Sequence, residues 1–317
     1  MTQLLAELPL VGAGGEPVDL RRTLASHGVA LLPPQSLDEE TWRLETTLPL
    51  PRGRARRLAV SEGPGGTVLV EAPGARLAAR DAAHLVATLR HMLRLDDDLS
   101  RFYAVLETEL AWAAAGAGRM LRSPTVFEDV AKTICTTNCA WGGTVRMVSA
   151  LVEHLGIAAP GAPADGPLGR TFPTPAAMAE APESFYVDVA RAGYRSPYLR
   201  ALAAGVAGGA LDLEALHDPE LPDDEAEARL LELPGVGPYA AAHVMMTALG
   251  RHSRLVLDSW TRPTYARIVG ARRQPADRTI ERRFRRYGDH AGLAFWLLLT
   301  RGWVPEEDAQ VSTAAQV

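Results

Sequence analysis

Residues 230–270 read LLELPGVGPYAAAHVMMTALGRHSRLVLDSWTRPTYARIVG. A helix ending at Glu232 meets Leu233-Pro234-Gly235-Val236-Gly237, and a second helix is predicted to begin around Pro238 with Ala-rich packing through Ala242. Gly235 and Gly237 allow a tight turn and leave backbone amides facing outward with no Cβ in the way. Amides at the mouth of a helix, with its positive dipole end behind them, suit a phosphate. The segment therefore reads either as a hairpin of two helices that grips a nucleic-acid backbone without reading bases, or as an ordinary corner whose glycines serve geometry alone. Asp258 follows 21 residues after Gly237, leaving the apolar Leu255-Val256-Leu257 just ahead of Ser259-Trp260-Thr261. Its spacing favours an N-cap that accepts backbone amides; a carboxylate held there can also face a reacting sugar.

Outward from this segment the chain changes character. From Glu40 to about Pro73, TWRLETTLPL alternates, RRLAV follows and EGPGGT turns into VLVEA, which predicts an antiparallel meander, with Gly28–Leu32 as a possible extra strand. Asp81 is placed to cap a helix in which Leu85, Leu89, Met92 and Leu93 share a stripe. The pattern beyond is helical. Ser123 is expected to cap a helix with Pro124 at its first position, Asn138–Gly143 to form a bend, and the helix to resume at Val145. Ala158–Arg170 reads as an exposed loop, and shorter helices follow Thr174, Arg195 and Pro222. The expected fold class is α+β: a small antiparallel β-rich domain over residues 1–95, then a mostly helical domain over 96–317.

The chain has 317 residues, 47% hydrophobic and 22% charged, with a formal charge of −5, a globular composition that excludes disordered and collagen-like classes. Charge is segregated. Between Arg251 and Arg286, 11 arginines face Asp258, Asp277 and Glu281, giving +8 in 36 residues and leaving −13 for the other 281. The cluster Arg282-Arg283-Phe284-Arg285-Arg286 fits either phosphate contact or a solvated helix surface. Lys132 is the one lysine among 33 basic residues, expected as a solvated cation on a helix face. Cys135 and Cys139 are too few for a disulfide framework or a four-thiolate iron–sulfur cluster, and read as small packed residues. The longest apolar run, Leu293–Leu299, is far short of the ~20 residues that span a bilayer. No membrane association and a cytoplasmic location, at the nucleoid if the source is bacterial, are expected.

The ordered motifs TTNCAW, GYRSPY, LPGVGPYAA and VLDSW resemble those of the helix–hairpin–helix DNA glycosylases, closest in layout to the 8-oxoguanine and 3-methyladenine branches. The resemblance covers about Leu95–Gly302 and implies a base-excision-repair enzyme that acts on double-stranded DNA containing a damaged base, as a monomer. By the same resemblance Asp258 is the catalytic carboxylate, Asn138 fills the vacated stack, and Tyr194 and Arg195 are wedge and opposite-base residues. Gly235, Val236 and Gly237 hold the DNA backbone. No cofactor is required, although the carbonyls of Leu233 and Val236 are implied to hold a K+ or Na+ ion that bridges to phosphate.

Where bifunctional members place a nucleophilic lysine this chain has Tyr239, so the expectation is a monofunctional enzyme that uses water and lacks lyase activity. Gly143 stands where an arginine would help read an opposite cytosine, His243 stands at the pocket cysteine position, and Phe295 and Leu299 replace the Gln and Phe of the base clamp. Tyr239, His243, Trp260, Phe295 and Leu299, with Trp296, are the expected base pocket; its aromatics favour an electron-poor alkylated purine or else simply fill the core. The alternatives are an 8-oxoguanine-type glycosylase with an altered pocket and a non-catalytic binder of damaged DNA.

Overall fold

The computed structural model describes residues 2–305. Strands β1 (Thr2–Pro9), β2 (Ser36–Asp38), β3 (Arg43–Leu50), β4 (Arg54–Gly63) and β5 (Thr67–Pro73) form one antiparallel sheet in the order β1-β5-β4-β3-β2. The meander expected over Glu40 to about Pro73 is β3 to β5, and β2 extends it on the side of β3. Strand β1 was not anticipated; it returns along the free edge of β5, Thr2 opposite Pro73 and Pro9 opposite Thr67, with a register shift between Leu4 and Ala6. The extra strand expected at Gly28–Leu32 is instead a 3-10 turn over Gly28–Leu31. Val29 and Ala30 are buried there, and the following Pro33-Pro34 cannot donate ladder hydrogen bonds.

Two helices cover the sheet, α1 (Leu20–Leu24) and α2 (Ala79–Met92). Leu44, Leu48, Leu58, Val60, Val68 and Val70 meet Leu20, Leu24, Leu85, Leu89, Met92 and Leu93 in one core, where truncating a leucine to alanine costs about 2–5 kcal/mol. Asp81 does not cap α2: Ala78 is the N-cap, and Asp81 lies in the first turn, paired with Arg54 at 2.8 Å.

The rest is helical: α3 (Ser100–Ala104), α4 (Val126–Thr136), α5 (Trp141–Leu155), α6 (Pro175–Glu180), α7 (Ser196–Ala207), α8 (Asp223–Leu231), α9 (Pro238–Val244), α10 (Thr261–Ile268), α11 (Asp277–Phe284) and α12 (Ala291–Thr300). Helix α4 is capped by Thr125, whose Oγ1 accepts from the Glu128 amide, while the Ser123 amide donates to Asp129. The bend after α4 is short, and α5 starts at Trp141 with Gly142 and Gly143 in its first turn. The last stretch of the expected helical domain, 306–317, lies outside the described residues.

Two cores organise the helices, one around α4, α5 and α7, the other around α10, α11 and α12. Helix α9 sits between them. Ala240 and Ala241 face the first core and Ala242 the second, and Tyr239 packs partly against both. Three consecutive alanines let a helix be enclosed from both sides without overpacking.

Buried polar contacts join the sheet layer to the helices. Arg94, 2% exposed, donates to the carbonyls of Met120, Thr247 and Ala248 and pairs with Asp97. Arg119 pairs with Glu16, and the Trp296 indole donates to Ser26 O at 2.8 Å. Among the described residues no helix is long and apolar enough to cross a membrane.

Candidate active site

The hairpin between α8 and α9 is built as its glycines require. Gly235 has φ +84°, and a Cβ there would lie 2.6 Å from Tyr198 Cδ2. Leu233 and Val236 point inward and are buried, with the Val236 amide donating to Leu233 O at 3.1 Å. Gly237 has φ −103°, its carbonyl accepts from Ala241, and a Cβ added there would meet nothing within 4 Å. Among the described residues no backbone hydrogen bond uses the Gly235 or Gly237 amide.

Asp258 caps the turn that leads into α10, whose N-cap position is Trp260, and leaves half its carboxylate over. Oδ1 accepts from the amides of Trp260 (2.8 Å) and Thr261 (2.6 Å), and the Asp258 amide donates to Thr261 Oγ1 at 2.8 Å, a reciprocal clamp at the start of α10. No hydrogen bond to Oδ2 is present among the described residues. Cap and exposed carboxylate oxygen are thus compatible in one half-buried residue.

Beside it stand Tyr239 and His243, neutral at neutral pH, and the Arg262 guanidinium, held charged by Asp277 and, less, by Asp258. Burial pushes the Tyr239 hydroxyl up, its hydrogen bond with Thr136 opposes this, and the Asp258 charge adds to the rise. Burial lowers His243 to about 4, against the pull of Asp258. His27, which the motifs did not single out, lies 5.5 Å from the His243 ring in an edge-on contact and is lowered to about 3, chiefly by burial and then by His243. Its Nε2 lies 2.7 Å from Leu121 O, and since a carbonyl only accepts, Nε2 carries the proton. Nδ1 is left as a buried acceptor with no hydrogen-bond partner. Nothing in the local sequence distinguishes His27, because its contacts come from α9 and Leu121, far along the chain.

Trp260 and Trp303 are both exposed, 38% and 41%, with ring centroids 5.6 Å apart, and each also touches Trp296. Trp303, also missed by the motifs, follows α12. Phe295 and Leu299, expected in the base pocket, lie in the core: Phe295 is 0% exposed against Tyr265 and Phe284, and Leu299 is buried in the same cluster. Helix α12 is buried on nearly every face, so position along it does not tell which side lines a cleft.

Asn138, Tyr194 and Arg195 converge from two segments. Asn138 is exposed with φ +44° at the tip of the turn after α4, and its amide lies 3.4 Å from the Tyr194 hydroxyl, which donates to Thr137 O at 3.1 Å. Arg195 is turned inward: it is 6% exposed, stacks on Tyr194 at 4.4 Å and donates to the same Thr137 carbonyl. It braces the turn that carries Asn138. Gly143 is fixed by its neighbour, since a Cβ would meet Cys139 Sγ at 2.5 Å. The Cys135 thiol is pushed up to about 12 by burial, as an inert packed residue requires.

Lys132 is not a solvated cation. It is 0% exposed, 2.7 Å from Glu128 Oε1, and donates to Gln35 Oε1 at 2.9 Å and Leu32 O at 3.3 Å. Of the 251–286 arginines, Arg251, Arg254, Arg262, Arg283 and Arg286 are ion-paired.

No family model matches the chain. It is similar to the N-glycosylase/DNA lyase OGG1 of Arabidopsis thaliana, 33% identical over 204 residues, which are 60% of this chain and 53% of that protein. A probable N-glycosylase/DNA lyase of Methanothermobacter thermautotrophicus is 25% identical over 224 residues, 64% of this chain and 70% of that one. The chain thus spans about half the length of the first of these curated relatives and seven tenths of the second. The solved 3-methyladenine DNA glycosylase of Archaeoglobus fulgidus superposes with a TM-score of 0.70 at 20% identity, covering 94% of this chain and 98% of that one. The chain thus has the fold of that DNA glycosylase, with the β-sheet layer, the glycine hairpin and the aspartate in that order, and it is similar in sequence to N-glycosylase/DNA lyases.

Proposed function

We infer that the protein is a monofunctional DNA glycosylase that hydrolyses the N-glycosidic bond of a damaged purine extruded from double-stranded DNA. The observation that carries this is Asp258: Oδ1 is locked by two amides, and Oδ2 has no hydrogen-bond partner among the described residues. A fixed anion beside a sugar that gains positive charge as the bond breaks lowers the barrier, and the same oxygen can orient or deprotonate the attacking water. Tyr239 and His243 next to it are neutral, and the nearby Arg262 guanidinium is engaged by Asp277, so the negative charge of Asp258 stays available.

The relatives' names include lyase, and this chain departs from that chemistry. A Schiff base needs a free amine at the sugar; residue 239 is tyrosine, and the Lys132 amine is sequestered by Glu128 and Gln35. The exposed Trp260–Trp303 pair next to Asp258, with Tyr239, supports an electron-poor alkylated purine as the excised base, because aromatic faces attract such rings. Asn138 at the tip of its braced turn would enter the vacated stack, a motion of the kind base extrusion requires. The hairpin amides of Gly235 and Gly237 would meet backbone phosphate. The carbonyls of Leu233 and Val236 are compatible with a K+ or Na+ ion there, since Leu233 O keeps a second lone pair beside its bond from Val236.

The test is a single-turnover panel of otherwise identical duplexes carrying 3-methyladenine, 7-methylguanine, hypoxanthine, uracil or 8-oxoguanine. Release of an alkylated base with an uncut strand is expected. Binding without release of any base would overturn the enzymatic reading.

A further inference from the structure

The arginines between residues 251 and 286 divide into two sets, and the division has a geometry. Helix α11 buries Ile280 and Phe284. Arg283 and Arg286 lie to one side and are held by Glu107 and Glu109. Arg278 and Arg282 on the helix and Arg285 at its C-cap follow at i, i+4 and i+7, one stripe on the side away from the buried residues. All three are exposed, and none enters an ion pair among the described residues. Arg267, Arg272 and Arg273, on α10 and in the connection to α11, share both properties. Glu281 borders the stripe and forms no described ion pair.

The stripe is continuous with the candidate active site. Asp258 opens α10, and Arg262, on the first turn of that helix, holds Asp277 at the start of α11 through bonds of 2.8 and 3.0 Å. Arg278 is therefore the near end of the row and Arg285 the far end. Seven residues at ~1.5 Å each give a row of about 10 Å, or about three base pairs of duplex at ~3.4 Å per pair.

We propose that the outer face of α11 is a one-sided arm for the backbone of the substrate duplex, in which Arg278, Arg282 and Arg285 contact phosphates on one flank of the lesion. The inference rests on the glycosylase reading and adds to it an asymmetric footprint that the hairpin does not supply. Arginine presents a planar fork matched to phosphate oxygens, and a row with no acidic partners keeps its charge available. The paired Arg283 and Arg286 form an internal contrast: same stretch of chain, same residue type, charge already compensated.

The test uses the full chain and its variants with lesion duplexes that are long on both sides, or trimmed to about five base pairs on one side or the other. The triple variant R278Q/R282Q/R285Q is expected to lower the slope of log K against log salt by about 2.7, at ~0.9 per lost phosphate contact. Its affinity deficit should vanish when one flank is trimmed and persist when the other is. The double variant R283Q/R286Q should leave the slope near that of the wild type. An unchanged slope in the triple variant, equal deficits on all duplexes, or an equal effect of the double variant would overturn the arm. Base release by the wild type, measured alongside, reports separately on the glycosylase reading: release with an unchanged slope sinks only the arm, and a lowered slope without release sinks only the enzyme.

Discussion

Substituting the two hairpin glycines one at a time separates folding from binding. Gly235→Ala places a methyl on a residue with φ +84°, a left-handed conformation that costs an L-residue about 1–2 kcal/mol. The same methyl would lie 2.6 Å from Tyr198 Cδ2, 2.9 Å from Cγ and 3.0 Å from Cβ, so a ring packed on the core must move, at about 1–3 kcal/mol. The reduced freedom of the unfolded chain returns about 0.4–1 kcal/mol, leaving a net loss of roughly 1–4.6 kcal/mol. Tyr198 touches Tyr194 edge-on at 6.1 Å, so the displacement also reaches the turn that carries Asn138. Gly237→Ala meets neither obstacle, with φ −103° and open space around the new Cβ. Its stability should stay within ~1 kcal/mol of wild type. Yet the methyl stands beside an outward amide, and the loss of one hydrogen bond to a charged phosphate weakens duplex binding by about 10-fold or more. Urea midpoints followed by circular dichroism, with duplex titrations on the same samples, read both quantities. Equal stability losses in the two variants, or a stable Gly237→Ala that binds as wild type, would refute the assignment of one glycine to geometry and the other to phosphate.

Three further outcomes follow from the buried groups. Borohydride added during turnover should trap no covalent protein–DNA product, because Lys132 is enclosed; a Lys132-dependent adduct would contradict this. Lys132→Met should cost about 3–5 kcal/mol by leaving Glu128 buried without its partner, and Lys132→Met with Glu128→Gln should recover much of that in the same urea assay. On acidification the melting temperature should fall between pH 7 and pH 5. His27, His243 and His252 are held neutral by burial, lowered to about 3, 4 and 3, so their contribution is complete above the unfolded value of 6.5 and is lost as pH falls below it. Asp129, raised to about 6 by burial, works the opposite way, stabilising below its unfolded value and ceasing to as pH rises through 6, and Asp19 and Glu214, also raised by burial, act in the same sense. His91, His217 and His290, lowered by burial, add to the three rings and leave the fall dominant. A flat or rising profile would show that these rings are charged in the fold.

What the sequence made legible was local. The meander, the hairpin and the cap at Asp258 are set by alternation, by glycine and proline, and by the Asp-to-Thr spacing of three, so their residues announce them. Strand β1 was invisible because its partner lies some sixty residues on, at the edge of β5. Lys132 looks like any helix-surface lysine until Leu32 and Gln35 of the first layer close over it. The inward turn of Arg195 and the burial of Phe295 have the same origin: motif order places a residue near a site, and packing decides which way its side chain faces. His27 meets His243, and Trp303 meets Trp260, through tertiary contacts alone.

The most direct test is the single-turnover rate of base release from an alkylated-purine duplex by the wild type and by Asp258→Asn. The amide keeps an oxygen for the Trp260 and Thr261 amides, so the α10 cap survives, while the negative charge is lost. The account predicts free base and an uncut abasic strand from the wild type, and release slowed by about 10³-fold or more in the variant with duplex affinity within a few-fold. Release by Asp258→Asn at close to the wild-type rate would contradict it.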